Sequence, residues 1–158
     1  MKPYILLTAL VLLPACISDP DDKDLQPPFI GDDEDSSPVQ CGEYRRGDII
    51  PFRCVFSDDM ELGNYNIEIH GNHDHHTHST EAEECDHHEA EEHDGDAEPE
   101  NPWIYNEDFP IPPGQTLYQA EFEIPIPRDI DPGDYHFMIR VTDHAGWQEI
   151  RSVSIEIE

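Results

Sequence analysis

The fold is decided by the stretch Asp131-Pro132-Gly133-Asp134-Tyr135-His136-Phe137-Met138-Ile139-Arg140-Val141. Apolar side chains stand at every second position from Tyr135 to Val141, with His136, Met138 and Arg140 between them. A period of two is typical of a strand that turns one face towards the core. The Asp-Pro-Gly run before it favours a turn. The stretch therefore predicts a half-buried antiparallel strand over 134–142.

The same alternation recurs in other parts of the chain. It predicts strands over 48–57, 64–70, 116–126 and 147–157, with Gly, Pro and Asp between the runs. Prolines at 51, 125 and 127 favour sheet edges or bulges at those positions. No stretch of ten residues has convincing helical periodicity. The sequence therefore predicts an all-β protein.

Two turns resemble those of immunoglobulin-like domains. The run from Asp131 to Tyr135 resembles the tyrosine corner that opens strand F. The run from Val141 to Gly146 resembles the F–G turn of bacterial members. The cysteine–tryptophan–cysteine core of antibody domains is absent, since Phe137 stands in place of the second cysteine. The resemblance implies an immunoglobulin-like antiparallel β-sandwich whose strands B, C, E, F and G are the predicted segments in chain order.

The N-terminus has the pattern of an export signal. Lys2 supplies a positive charge, an apolar run follows from Ile5 to Leu13, and Leu13-Pro14-Ala15-Cys16 resembles the bacterial lipobox. The run is too short for a permanent membrane span of roughly 20 residues. We expect residues 1–15 to be a lipoprotein signal peptide and Cys16 to be acylated, which would anchor the chain in a lipid membrane. A plain secreted protein is the alternative.

The rest of the chain divides into three parts. Residues 16–38 are acidic, rich in proline and poor in apolar side chains, which predicts a disordered tether. Residues 39–158 would form the sandwich. Within it, the insert 71–101 holds seven histidines, twelve acidic residues and no Lys or Arg, which predicts a long loop.

The chain as a whole resembles a family of uncharacterised Bacteroidota lipoproteins with one immunoglobulin-like domain. The likeness rests on residues 65–70, 74–78 and 133–137, and it covers essentially the full chain. The acidic tether also resembles that of surface-exposed lipoproteins, which implies the outer membrane, facing the cell surface, with an inward-facing orientation as the alternative. The family carries no activity to transfer.

Charge narrows the choice of partners. Acidic residues outnumber basic ones by 37 to 8, for a net charge of −29. Phosphate backbones would be repelled, which argues against nucleic acid, whereas cations would be concentrated near the surface. No hydrolase nucleophile motif, phosphate loop or dinucleotide fingerprint occurs, so we expect a binding protein and not an enzyme. The carboxylates lack the EF-hand spacing of calcium loops.

Histidines mark the candidate site. Imidazole suits zinc, copper and nickel. Because C and F are antiparallel neighbours, the outward-facing His70 at the end of C should meet the outward-facing His136 at the start of F. His-x-His pairs in the adjacent loop would add ligands. The sequence thus predicts a divalent transition metal, zinc first, bound by His70, His73, His75, His76, His78 and His136.

Alternatives remain for these residues. The histidine-rich loop fits a solvated polar segment, and His136 alone fits an exposed strand residue. Trp103 and Trp147 would instead serve a module that binds a surface partner or glycan. Cys41, Cys54 and Cys85 allow three disulfide pairings, or a buried thiol at Cys54.

Overall fold

A computed structural model describes residues 23–31, 33–71, 85 and 100–158. These residues form eight strands. They are β1 (Phe29–Ile30), β2 (Gly42–Tyr44), β3 (Ile49–Ser57), β4 (Leu62–Gly71), β5 (Ile104–Pro110), β6 (Leu117–Pro125), β7 (Gly133–Asp143) and β8 (Gln148–Ile157). No helix occurs in the described ranges, so the prediction of an all-β protein is confirmed.

The strands form two sheets that pack as a sandwich. One sheet has the order β1-β3-β6 and the other the order β2-β8-β7-β4-β5. All pairs are antiparallel except β2 with β8, which is parallel. The five predicted strands correspond to β3, β4, β6, β7 and β8. β3 pairs with β6 in one sheet, and β4, β7 and β8 are neighbours in the other.

Three strands were not predicted. The tether was assigned to 16–38, but Phe29–Ile30 forms β1 and pairs with β3, and Ile30 is buried in the core. Treating all of that segment as disordered was therefore wrong. Ile30 packs into the core while Phe29 is exposed, and local composition does not reveal this packing. β2 is too short for a periodic signal, and β5 is mostly exposed, so its alternation is weak.

The core lies between the sheets and is built from the alternate side chains of the long strands. Tyr135, Phe137 and Val141 of β7 are fully buried, as are Phe52 and Phe56 of β3. The Tyr135 hydroxyl donates a hydrogen bond to the carbonyl of Asp131 at 2.6 Å, which closes the corner. This bond fixes the start of β7, and with it the position of the next residue, His136.

The cysteines are resolved into a disulfide and a buried thiol. Cys41 is bonded to Cys85, with Cα atoms 5.6 Å apart. Cys54 lies in the core on β3. The disulfide therefore joins the acidic insert to the residue that precedes β2. None of the described segments contains a helix with the length and apolarity needed to cross a membrane.

Candidate metal centre

His70 and His136 lie side by side on neighbouring strands. They are direct partners across β4 and β7, and their ring centroids are 5.6 Å apart with an interplanar angle of 56°. The sequence predicted this meeting from the pairing of strands C and F. Because both residues belong to interior strands of the larger sheet, the backbone holds the pair in place.

The pair is more enclosed than an outward-facing strand position normally is. His136 is only 8 % exposed, although its neighbours Tyr135 and Phe137 already face the core. The His70 side chain is 23 % exposed. An exposed strand residue, the plainest interpretation of His136, is thus excluded.

Glu68 supplies a carboxylate beside the pair. It lies two residues before His70 on the same face of β4, and its Oε1 is 3.3 Å from His70 Nδ1. Ligating histidines commonly give their other ring N–H to a carboxylate, which fixes the tautomer and orients the ring. A proton on Nδ1 would leave Nε2 of His70 as the ligand atom. Glu68 was not predicted from the sequence, because in a chain with 37 acidic residues no pattern distinguishes this carboxylate until the strand places it beside His70.

The spacing of the rings fits one shared ion. Two imidazoles bound to a tetrahedral zinc at about 2.0–2.1 Å place their ring centroids about 5 Å apart. The observed separation of 5.6 Å is within a small side-chain rotation of that value. A structural zinc needs four ligands, so the pair supplies half of a site.

The other predicted ligands cannot be placed. His73, His75, His76 and His78 lie outside the described residues, as does Cys16. Of the six predicted metal ligands, the structure therefore locates His70 and His136, and it brings these two together.

The disulfide attaches the end of the histidine-bearing segment near this pair. Residues 72–84 run from Gly71, whose partner on β7 is Tyr135, to Cys85. The bonded partner of Cys85 is Cys41, whose N–H donates to the carbonyl of Ser154 at 2.8 Å. Ser154 is the β8 partner of His136. Both ends of the segment are thus fixed within the sheet region that carries the two histidines.

The two tryptophans differ in exposure and position. Trp103 is buried, at 6 % exposed, and packs against Tyr135 and Tyr105. The interpretation of Trp103 as an exposed binding aromatic is therefore wrong. Trp147 is 47 % exposed and lies with His144 at the opposite end of the sandwich.

A known protein family matches nearly the whole chain. Residues 14–158 match the family described as a domain of unknown function, DUF4625. The chain belongs to this family. The DUF4625 match includes Cys16, His70 and His136, which confirms a single uncharacterised family over essentially the whole chain. No curated protein matches the chain.

Proposed function

We propose that this protein is a membrane-anchored outer-membrane lipoprotein that binds a divalent transition metal, zinc first, and serves in capture or buffering. The observation that carries the proposal is the placement of His70 beside His136 on two interior strands, with ring centroids 5.6 Å apart. It is a binding function and not catalysis.

The ligands would come from two sources. His70 and His136 are the fixed ones, since their backbones belong to paired strands. The remaining positions would be filled from His73, His75, His76 and His78, which belong to the segment attached at Gly71 and Cys85. Fixing both ends of a segment lowers the entropy that is lost when its side chains gather around an ion.

The negative charge of the protein would raise the local concentration of metal ions. The net charge of −29 concentrates cations near the surface, within about one Debye length of roughly 8 Å in physiological salt. Imidazole would then select transition metals over calcium and magnesium, which prefer oxygen ligands.

The position of the chain's N-terminal part supports display of the site. Asp24 lies near Asp58 and Asp143, at the end of the sandwich where β3 and β7 finish. At that end, Leu62 of β4 pairs with Asp143. His70 is eight residues further along β4, so it lies roughly 26 Å from Leu62 at about 3.3 Å per residue. An anchor at Cys16 would therefore hold the opposite end to the membrane and leave the histidines facing outward.

Calorimetric titration of the full chain in detergent with zinc chloride tests the proposal. We expect at least one zinc per chain, with affinity falling below pH ~6 as the imidazoles protonate. The double variant His70→Ala/His136→Ala should bind at least tenfold more weakly. His144→Ala is the matched control, because it removes a histidine from the other end and should change nothing. A stoichiometry below one, or equal affinity in the double variant, would refute the site.

A further inference from the structure

A second cluster of metal-binding groups lies at the end of the sandwich away from the histidines. Asp24, Asp58 and Asp143 each bring a carboxylate oxygen within 4.8 Å of the others. Asp24 precedes β1, Asp58 directly follows β3, and Asp143 ends β7. The fold thus gathers three acidic side chains from distant parts of the chain.

Asp143 shows that the cluster needs a further partner. The residue is 4 % exposed, and its Oδ1 accepts hydrogen bonds from the N–H groups of Gly146 at 2.6 Å and Trp147 at 2.8 Å. Its other oxygen, Oδ2, is buried and has no hydrogen-bond partner among the described residues. A buried carboxylate oxygen is destabilising unless a donor or a cation satisfies it.

Asp58 repeats the same arrangement. Its Oδ1 accepts from the N–H groups of Met60 at 2.8 Å and Glu61 at 2.7 Å, which orients the carboxylate. Its Oδ2 is also buried without a hydrogen-bond partner in the described part of the chain. In both residues, one oxygen accepts hydrogen bonds from a turn, and the other is buried without a partner in the described ranges.

Asp24 brings the third carboxylate on a docked segment. Its Oδ1 accepts from the Gln26 N–H at 3.2 Å, and its carbonyl accepts from Trp147 Nε1 at 3.3 Å. Partial burial raises the pKa of Asp24, and the nearby carboxylates of Asp58, Asp143 and Asp59 raise it further. Within the described ranges, no lysine or arginine forms an ion pair with any of the three clustered carboxylates.

We propose that Asp24, Asp58 and Asp143 bind a hard divalent cation, calcium by preference. The ion would fasten the segment before β1 to the end of the sandwich. The ligands are all carboxylate oxygens, which suit calcium, magnesium and manganese and not soft metals. Calcium takes oxygens at about 2.3–2.6 Å, so two of its ligands lie about 5.2 Å apart at most, whereas magnesium at about 2.0–2.1 Å limits them to about 4.2 Å. Backbone carbonyls and water would complete the usual six to eight ligands.

The site is independent of the zinc proposal. It uses none of the histidines and lies at the opposite end of β4. Its effect would be mechanical, because Asp24 is eight residues after Cys16, where acylation is expected. Calcium would then control whether the segment nearest the anchor is docked on the domain.

Trp147 offers a local readout for the site. Terbium replaces calcium at oxygen sites and emits when a nearby excited tryptophan transfers energy to it. We expect the full chain in detergent to give tryptophan-sensitised terbium emission that calcium chloride displaces. The emission should disappear in Trp147→Phe, while Trp103→Phe should retain it, because Trp103 lies near Tyr135 at the other end.

Matched variants separate the cluster from general acidity. Asp24→Asn retains the acceptor for the Gln26 N–H, and it should weaken calcium binding at least tenfold in a calorimetric titration to about 10 mM, above the range of weak extracellular sites. Asp48→Asn, with the same change of charge before the start of β3, should not. Asp143→Asn provides a second test at the buried ligand. Calcium should also slow endoproteinase Lys-C cleavage after Lys23. Equal calcium affinity in Asp24→Asn and Asp48→Asn, or no uptake by the parent chain, would overturn the proposal.

Discussion

Removal of the Cys41–Cys85 disulfide should destabilise the protein substantially. The change is Cys41→Ser/Cys85→Ser, which leaves the strands and the core unchanged because Cys41 is exposed and precedes β2. The bond closes a loop of 44 residues. In the chain-entropy relation, such a loop lowers the entropy of the unfolded chain by an amount worth about 4 kcal/mol at 25 °C. That value is an upper figure, because structure left in the unfolded chain reduces it.

Urea denaturation of the oxidised parent chain and the double variant measures this difference. We expect the free energy of unfolding to fall by about 2–4 kcal/mol, and zinc affinity to fall with it, since the end of residues 72–84 is released. Cys54→Ala is the control that keeps the disulfide. Peptide mapping under non-reducing conditions should find Cys41 linked to Cys85. A loss below about 1 kcal/mol, or a linkage through Cys54, would show the reasoning to be wrong.

Three further substitutions test particular contacts. Tyr135→Phe removes the 2.6 Å hydrogen bond to the Asp131 carbonyl and should lower the free energy of unfolding, measured in urea, by about 1–2 kcal/mol. An unchanged free energy would show that this hydrogen bond does not stabilise the turn before β7. Gly63→Ala places a Cβ 2.9 Å from the Thr142 carbonyl oxygen and 3.0 Å from that of Asp143, so we expect a loss of about 1–3 kcal/mol and weaker calcium binding, which parent-like values would contradict. For Asp24, the raised pKa means that the folded state holds its proton more tightly than the unfolded state, so without calcium this group lowers stability as pH rises through its folded pKa. The melting temperature of Asp24→Asn should therefore equal or exceed that of the parent chain in EDTA at neutral pH, and it should lie below that of the parent chain in calcium. If the two proteins melt in the same order in both conditions, repulsion among the three carboxylates is refuted.

The sequence revealed most of the sandwich because the long strands carry their burial pattern locally. In β3 and β7, the side chains that alternate in the sequence also alternate between core and surface. Where that pattern is weak, prediction failed. β5 exposes most of its residues, and β1 has only two, so neither has a periodic signal of its own.

The histidine pair was predictable and the aspartate cluster was not. His70 and His136 could be matched from strand order and facing direction alone, since a paired register determines which residues meet. Asp24, Asp58 and Asp143 lie at the ends of strands and in a segment taken for tether, where no periodicity relates them. In a chain with 37 acidic residues, three particular carboxylates carry no signal until the fold brings them together. The burial of His136 was likewise not predictable, because alternation alone places it on the outer face of its strand.

The central claim is that His70 and His136 bind one metal ion together. NMR of the imidazole ring nitrogens during a zinc titration tests it most directly, with the two signals assigned by His70→Gln and His136→Gln. We predict that the first equivalent of zinc shifts a ring nitrogen of both residues together, and that His144 stays unchanged. If the first equivalent shifts only histidines of the insert and leaves His70 and His136 as they were, the claim is contradicted.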